Sequence, residues 1–460
     1  MIPMTLVEVA AVTGGTPHGD ESATVSGPVV TDAREAEVGS LYVARVGEHA
    51  DGHDYAGQAA ERGATAALTT RVVDELACVV VDDTQDAFVA LSRALIDRLP
   101  ELHVVGITGS SGKTSTKDLL GSVLATAGET VAPQGSYNSE VGVPLTVCRV
   151  TEATRYLVVE MGARGVGHVE YLTEIAPPQV GVVLNVGHAH VGEFGSIDQV
   201  ALAKSELVRA LPADGVAVLN ADDPRVRAMA GVTTARVVLV GEAEDADVRA
   251  TDVTLDEGGR PRFTVTAPFG TAEVSLPLVG RHHVGNALSV IAAAQACGLD
   301  LEAIVAALAD VRPASRWRME VTERADGVRV VNDAYNANPD SMAAALRALA
   351  AMSASGRRVA VLGSMLELGE ESPALHRGVG RLAGELGIDT VVAVGGLATD
   401  IAEGARSAGV TTVEHVSDVD AAEELLTARL ADGDVVLLKS SRDAGLRWLG
   451  DRLSEKEVGQ

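Results

Sequence analysis

Lysine is nearly absent from this 460-residue chain: five of its 37 Lys and Arg residues are lysine, at positions 113, 117, 204, 439 and 456. Arginine is the default cation, so a position that keeps lysine is a candidate for one where a compact ammonium or a reactive amine matters. Aromatic residues are also scarce, at 3%, which leaves Ala, Val, Leu and Ile to build the cores. The three cysteines (Cys78, Cys148, Cys297) lie far apart without metal-ligand spacing and exclude a disulfide framework. No apolar run approaches ~18 residues, and the first residues lack a basic stretch followed by an apolar one. Neither membrane insertion nor a secretion signal is expected, and the location expected is cytoplasmic. Basic charge is the last deficit: 37 Lys and Arg stand against 64 Asp and Glu, a net charge of −27. That field repels polyanions and argues against nucleic acid or an anionic membrane as a partner. A small phosphorylated substrate stays compatible if its cationic contacts are local.

What is present is globular. Hydrophobic residues make up 47% and charged residues 22%, and the length predicts two to four domains. Three α/β segments are expected. The first, 1–99, has short strand-like runs at 27–31, 40–44 and 78–81, a helix over 55–62 and an amphipathic helix over 84–99. The second, 100–312, alternates strands (103–107, 155–161, 179–186, 215–220, 237–240) with helices, the pattern of a mostly parallel sheet. It is interrupted by a Thr- and Val-rich antiparallel excursion over 250–279 with turns at 258–259 and 268–270, before a helix over 284–297. The third, 313–460, returns to alternation, with strands at 328–332, 358–362, 390–394 and 435–439, as in a smaller doubly wound domain.

The strongest motif is Gly106-Ile-Thr-Gly-Ser-Ser-Gly-Lys-Thr114, after a strand and before a helix. Its glycines let backbone N–H groups wrap phosphates at a helix N-terminus. Lys113 is placed to reach the β- and γ-phosphates and Thr114 to ligate Mg²⁺. Glu160 ends a strand of the same sheet, where a second Mg²⁺ ligand belongs. His188 and His190 end another strand, and Lys204 falls on a helix fourteen positions later. By themselves these read as ordinary core or solvated residues. In the third segment Asp333 ends a strand in Asn332-Asp-Ala-Tyr-Asn-Ala-Asn-Pro-Asp-Ser341, and Asp340 or Ser341 is a candidate helix cap. Lys439-Ser-Ser-Arg442 gathers cations at a further strand end.

Taken in this order, over nearly the whole chain, these motifs resemble the Mur ligase family of peptidoglycan synthesis. The resemblance implies an N-terminal UDP-binding domain, a central P-loop ATPase domain and a C-terminal Rossmann-like domain. It implies ATP contacts from Thr108, Gly109, Ser110, Ser111, Gly112, Lys113, Thr114, Asn286 (adenine), Arg316 (γ-phosphate) and Asp333 (ribose). Mg²⁺ would be held by Thr114, Glu160, His190 and a carbamylated Lys204. Lys113, Glu160, His190, Lys204 and Arg316 form the implied catalytic set. Arg34, Asp51, His53, Asn138, Asn336 and Arg442 are the implied substrate contacts.

Three stretches, 138–144, 333–342 and 361–369, and the 51–55 loop resemble the family members that add a dipeptide last. The implied substrates are UDP-N-acetylmuramoyl-tripeptide and D-alanyl-D-alanine, and the expected state is a monomer. The implied reaction is amide formation. The substrate carboxylate attacks the γ-phosphate to give an acyl phosphate and ADP, and the amine then displaces phosphate. Departures from the family pattern are Ala33 before Arg34, Arg164, His168, Ser364 and Ser440. The alternatives are a diaminopimelate- or lysine-adding Mur ligase, folylpolyglutamate synthetase, or a P-loop regulatory NTPase. The amine that stimulates phosphate release separates them.

Overall fold

A computed structural model describes residues 1–47, 50–133, 135–188, 191–312 and 314–455. It is an α/β protein with three main sheets. The central sheet has nine strands in the order Gly270–Ser275, Pro261–Ala267, Val248–Leu255, Arg236–Gly241, Val216–Asn220, Val180–Val183, His103–Thr108, Thr154–Glu160 and Glu129–Val131. From Val248–Leu255 to the Glu129–Val131 edge every pairing is parallel. Its middle strands are runs of Val, Ile, Leu and Gly buried on both faces, as a parallel sheet covered by helices requires. Successive residues divide between two cores: Val104, Leu157 and Val183 join one, and Val105, Val158 and Val182 the other.

The antiparallel excursion is there as expected, with Val248–Leu255 pairing Pro261–Ala267 across a register shift between Thr251 and Thr254, and Pro261–Ala267 pairing Gly270–Ser275. Burial alternates along Pro261–Ala267, because only one face meets the core. The turn at its tip hooks onto the C-terminal region, where Ser353 donates its backbone N–H to the Glu257 carbonyl at 2.9 Å.

The N-terminal sheet has the order Thr16–His18, Ala77–Val80, Ala66–Thr69, Leu41–Val43 and Val29–Val30. Its core is continuous with one face of the central sheet. Phe88, Leu91 and Leu95, on the helix Thr84–Asp97, belong to the same cluster as Val143, Val147 and Leu172. That helix therefore seals two units at once. The strand Ala66–Thr69 was not expected, since Ala-Ala-Leu-Thr has helical propensity and is strand only because it lies between two others.

The C-terminal sheet runs Glu320–Glu323, Arg329–Asn332, Val435–Lys439, Arg358–Leu362, Thr390–Val394 and Thr412–Val416, parallel except at its first strand. The two short edge strands, Glu320–Glu323 and Thr412–Val416, also went unexpected, because neither is buried on both faces.

Candidate active site

The carboxyl ends of the central and C-terminal sheets face each other, and Lys113, Thr114, Asn138 and Glu160 of the expected site residues meet in that cleft. The strand His103–Thr108 leads through a tight loop into the helix Lys113–Leu124. Gly112 takes φ 82° at the helix entry, and a Cβ there would lie 2.9 Å from the Asn286 Oδ1. Asn286 thus packs directly on the loop. Ser111 donates its backbone N–H to Asn185 Oδ1 at 2.9 Å, and Ser110 Oγ accepts from the Gly187 N–H at 2.8 Å. These contacts pin the loop to the end of the neighbouring strand.

Inside the cleft, Thr114 Oγ1 donates to Glu160 Oε2 at 2.9 Å, and both residues are buried. The other carboxylate oxygen accepts from Ser136 Oγ and Asn138 Nδ2, each at 2.8 Å. Lys117, itself buried, donates to the carbonyls of Pro133 and Gly135 and so holds the strand-to-loop segment that carries Ser136 and Asn138. Lys113 Nζ donates to the Gly109 carbonyl at 2.6 Å. Burial holds its ammonium below the ordinary lysine range; Glu160 opposes that and Arg318 reinforces it.

Lys204 is 4% exposed on the helix Ile197–Arg209. Among the described residues its ammonium has no hydrogen-bond or ion-pair partner. Burial pushes its pKa well below that of a free lysine, and the charge of Lys113 pushes the same way. The neutral amine is the form such a site favours. The neighbouring Glu206 is fully used, accepting backbone N–H groups of Gly167 and Glu170 at 2.7 and 3.0 Å. His190 lies outside the described residues.

Two adjacent histidines flank the cleft, His283 buried and His282 with an exposed face. Desolvation by the surrounding protein holds His282 below the usual imidazole value, opposed by Asp333 and reinforced by Lys439, and burial with His282 alongside takes His283 well below that value. Next to them is an open cavity lined by Ser115, Asp118, Val279, His283, Ser315 and Arg318, among others. Asn286 does not line it.

The C-terminal side supplies the cleft's other wall. Asn338 Nδ2 donates to the Ser110 carbonyl at 3.3 Å, and Asp340 Oδ2 accepts the His188 N–H at 2.8 Å. Gly187 makes that approach possible, since a Cβ there would fall 2.1 Å from the same carboxylate oxygen. Asp340 is therefore a bridge between sheets, while the helix Pro339–Ala351 is capped by Asn338 with Ser341. Asp333 spends one carboxylate oxygen on Lys439 Nζ at 2.6 Å and the other on the Met319 N–H at 3.1 Å. It organises the wall rather than presenting a free carboxylate.

Several expectations need correction. Arg316 does not reach the phosphate loop: its side chain is 59% exposed and paired with Asp451 at 2.9 Å. Arg318, two residues on, is the one aimed inward, with Nη2 at 3.2 Å from Thr114 Oγ1 and its guanidinium 4.3 Å from the Tyr335 ring centre. In an extended segment residues two apart would point the same way, but the left-handed backbone at Trp317, φ 58°, turns Arg318 away from Arg316, and residue type in Arg316-Trp-Arg318 carries no sign of that turn. Thr108 donates to the Met161 carbonyl at 2.8 Å and is fully buried, so it ties two strands together.

His53 is buried with both ring nitrogens engaged, Nδ1 at 2.5 Å from Asp51 and Nε2 accepting the Thr70 N–H at 2.9 Å. It braces its own loop. Asp51 is committed to His53 and Arg71. Arg34, 77% exposed, chelates Asp32. Asn336 and Arg442 are exposed, and the Asn336 carbonyl accepts from Lys439 Nζ at 3.1 Å. Ser440, where glycine is the family pattern, fits because position 363 is glycine, whose Cβ would lie 2.7 Å from the Ser440 Cβ.

The pattern of the Mur ligase middle domain matches residues 107–294, and that of the Mur ligase glutamate ligase domain matches 317–442. Over 98% of both chains this sequence is 46% identical to the UDP-N-acetylmuramoyl-tripeptide–D-alanyl-D-alanine ligase of Mycobacterium tuberculosis. The chain belongs to the Mur ligase family. The Escherichia coli ligase of the same name is 36% identical over 99% of each chain. The crystal structure of MurF from Acinetobacter baumannii superposes with a TM-score of 0.89 at 33% identity, covering 99% of each chain. MurF from Thermotoga maritima, solved with ADP, gives 0.81 at 28% identity over 94% of this chain and 98% of that one. As a Mur ligase, this protein is an ATP-dependent, amide-forming enzyme of peptidoglycan precursor synthesis. Among the described residues no helix is long and apolar enough to cross a membrane.

Proposed function

We propose that this Mur ligase joins D-alanyl-D-alanine to UDP-N-acetylmuramoyl-tripeptide, with cleavage of ATP to ADP and phosphate. The observation that carries the reading is the convergence of Lys113, Thr114 and Glu160 at the edge of the central sheet with Arg318 from the segment that leads into the C-terminal sheet. Full-length identity to ligases of that name supports the substrate pair. Residues 1–99 act as the UDP-binding unit, 100–312 as the ATP-binding unit and 313–460 as the unit that brings the amine. The enzyme acts as a monomer.

The base of ATP enters the cavity beside His283, and its phosphates lie on the loop 109–114. Lys113 and Arg318 neutralise the transferring phosphoryl group, with Arg318 in the role first expected of Arg316. The backbone N–H groups at the start of the helix Lys113–Leu124 add positive potential along the same path. Arg34 offers the N-terminal unit's exposed cation to the diphosphate of the UDP-sugar.

The donors fit Mg²⁺. Thr114 and Glu160 are hard oxygen ligands, and one carboxylate plus substrate phosphates is a usual Mg²⁺ environment. Lys204 fits a second ion once carbamylated: a buried neutral amine captures CO₂, forming an N–C bond and releasing a proton, and becomes an oxygen-bearing anion. His190 completes that set in this reading. Bound Mg²⁺ supplies charge neutralisation to the phosphates and the acyl oxygen. The residues of the chain position the two substrates and exclude water, and the closing contacts of Asp340 and Asn338 seal the cleft.

An ADP-release assay across UDP-muramoyl peptides and candidate amines tests the reading. Strong stimulation by D-alanyl-D-alanine with the tripeptide substrate is expected. Stimulation by diaminopimelate, lysine or glutamate instead would replace it, and release independent of any amine would favour a regulatory NTPase.

A further inference from the structure

Arg318 does not sit on a helix or strand. It lies between Trp317 and Met319, both non-glycine residues with positive φ, 58° and 52°. Side chains rarely adopt that conformation, and it persists where surrounding contacts over-determine it. Those contacts are identifiable. Trp317 donates its backbone N–H to Glu320 Oε2 at 3.0 Å and its indole Nε1–H to Asp451 Oδ1 at 2.9 Å. The other oxygen of Asp451 accepts Arg316 Nη2 at 2.9 Å. On the far side Met319 is held by Asp333. The Trp317 ring meets Trp448 edge-on at 5.0 Å, so both tryptophans of the chain are used here.

The consequence falls on Arg318. Its backbone is clamped on both sides, its guanidinium rests over Tyr335, and Nη2 reaches Thr114. Among the described residues its Nε is buried without a hydrogen-bond partner, so the side chain is aimed by its clamps and not by a full set of its own bonds. Asp451 comes from the helix Leu446–Ser454, near the end of the chain and outside the cleft.

We propose that Asp451 and the Trp317 indole are positioning residues for phosphoryl transfer, acting through Arg318. This rests on Arg318 facing the γ-phosphate as argued above. The competing explanation is that Asp451 only staples the last helix to its sheet, since Asn332 Nδ2 also approaches it at 3.4 Å. A staple would change stability and leave turnover alone. A positioning pair would change turnover through Arg318 alone.

The test is a double-mutant cycle on the full-length enzyme, reading kcat for ADP formation at saturating substrates together with thermal unfolding. Trp317→Phe keeps an aromatic ring, smaller than the indole, and removes the donor, and should lower kcat about tenfold, the scale of a sub-ångström misplacement. In an Arg318→Lys background the same change should cost less than about twofold, because the group it positions is gone. Asp451→Asn should show the same non-additivity, and it serves as the second variant where Trp317→Phe folds poorly. Losses that multiply in both cycles, or an unchanged kcat with a lowered unfolding temperature, would overturn the proposal. Full turnover by Arg318→Lys and Arg318→Ala would instead overturn the phosphate-site reading on which it stands.

Discussion

In the N-terminal unit the residues of the 51–55 loop expected to meet substrate are paired with one another: Asp51 with His53 and Arg71, and His53 with Thr70. In the cleft between the central and C-terminal sheets the comparable groups keep unused capacity. Among the described residues Lys204 is buried with no partner, and Arg318 buries an unpartnered Nε. A buried polar atom without a partner costs free energy in the resting fold. Such a cost is tolerated where a ligand, ion or modification supplies the missing partner. The difference separates residues that shape a loop from residues that await chemistry, even where both carry the same family motif.

The sharpest way to break this contrast is Lys113→Ala. With the phosphate loop's cation removed and no core disturbed, ATP turnover should fall about a thousandfold or more while the unfolding temperature stays near that of the parent. Retained turnover in a folded variant would end the phosphate-loop assignment.

Lys204 comes next. A solvated lysine would tolerate alanine, whereas a carbamate ligand should lose about a hundredfold in kcat. Acetate should restore part of that loss, and CO₂-depleted buffer should lower wild-type activity until bicarbonate is added back. An unmodified amine at Lys204 in an active preparation, read by crystallography or by ¹³C-bicarbonate labelling, would remove the carbamate.

On the other side of the comparison His53→Ala should show as stability. It leaves the Thr70 N–H unpaired and opens a cavity, a loss of about 2 kcal/mol in denaturant unfolding. An undiminished unfolding free energy, with weaker binding of the UDP-sugar, would return His53 to the substrate contacts.

The smallest effect is a pH dependence. Burial pushes the Tyr42 phenol up to about 12, with Asp32 nearby adding to it, and its OH donates to the Gly52 carbonyl at 2.8 Å. Between pH 10 and about 12 the unfolded chain loses this proton while the folded chain keeps it. The contribution is therefore intact below pH 10 and fades across that interval. The stability gap between the wild type and Tyr42→Phe should narrow from pH 9 to pH 11.5, and parallel curves would contradict the assignment.

The parallel core of the central sheet was legible because its strands are buried on both faces and read as continuous apolar runs. The antiparallel excursion was legible through its turns and alternation. Strands such as Ala66–Thr69 and Glu320–Glu323 were not, because their pairing depends on neighbours and not on their own composition. In the site, Lys113, Thr114 and Glu160 were legible because each lies at a fixed offset from a strand end. Arg318 was not, since its direction is set by two left-handed residues and by a carboxylate 133 positions further along the sequence, at Asp451.

The sequence by itself determined the alternation of strands and helices, the glycine-built phosphate loop and the identity of the cations placed at strand ends. These are local properties, carried by residue type and short spacing. Only the tertiary structure decided which of those groups are spent on one another and which remain available. Hydrogen-bond satisfaction depends on partners brought together from remote parts of the chain: His188 with Asp340, Ser110 with Asn338, and Thr114 with Arg318.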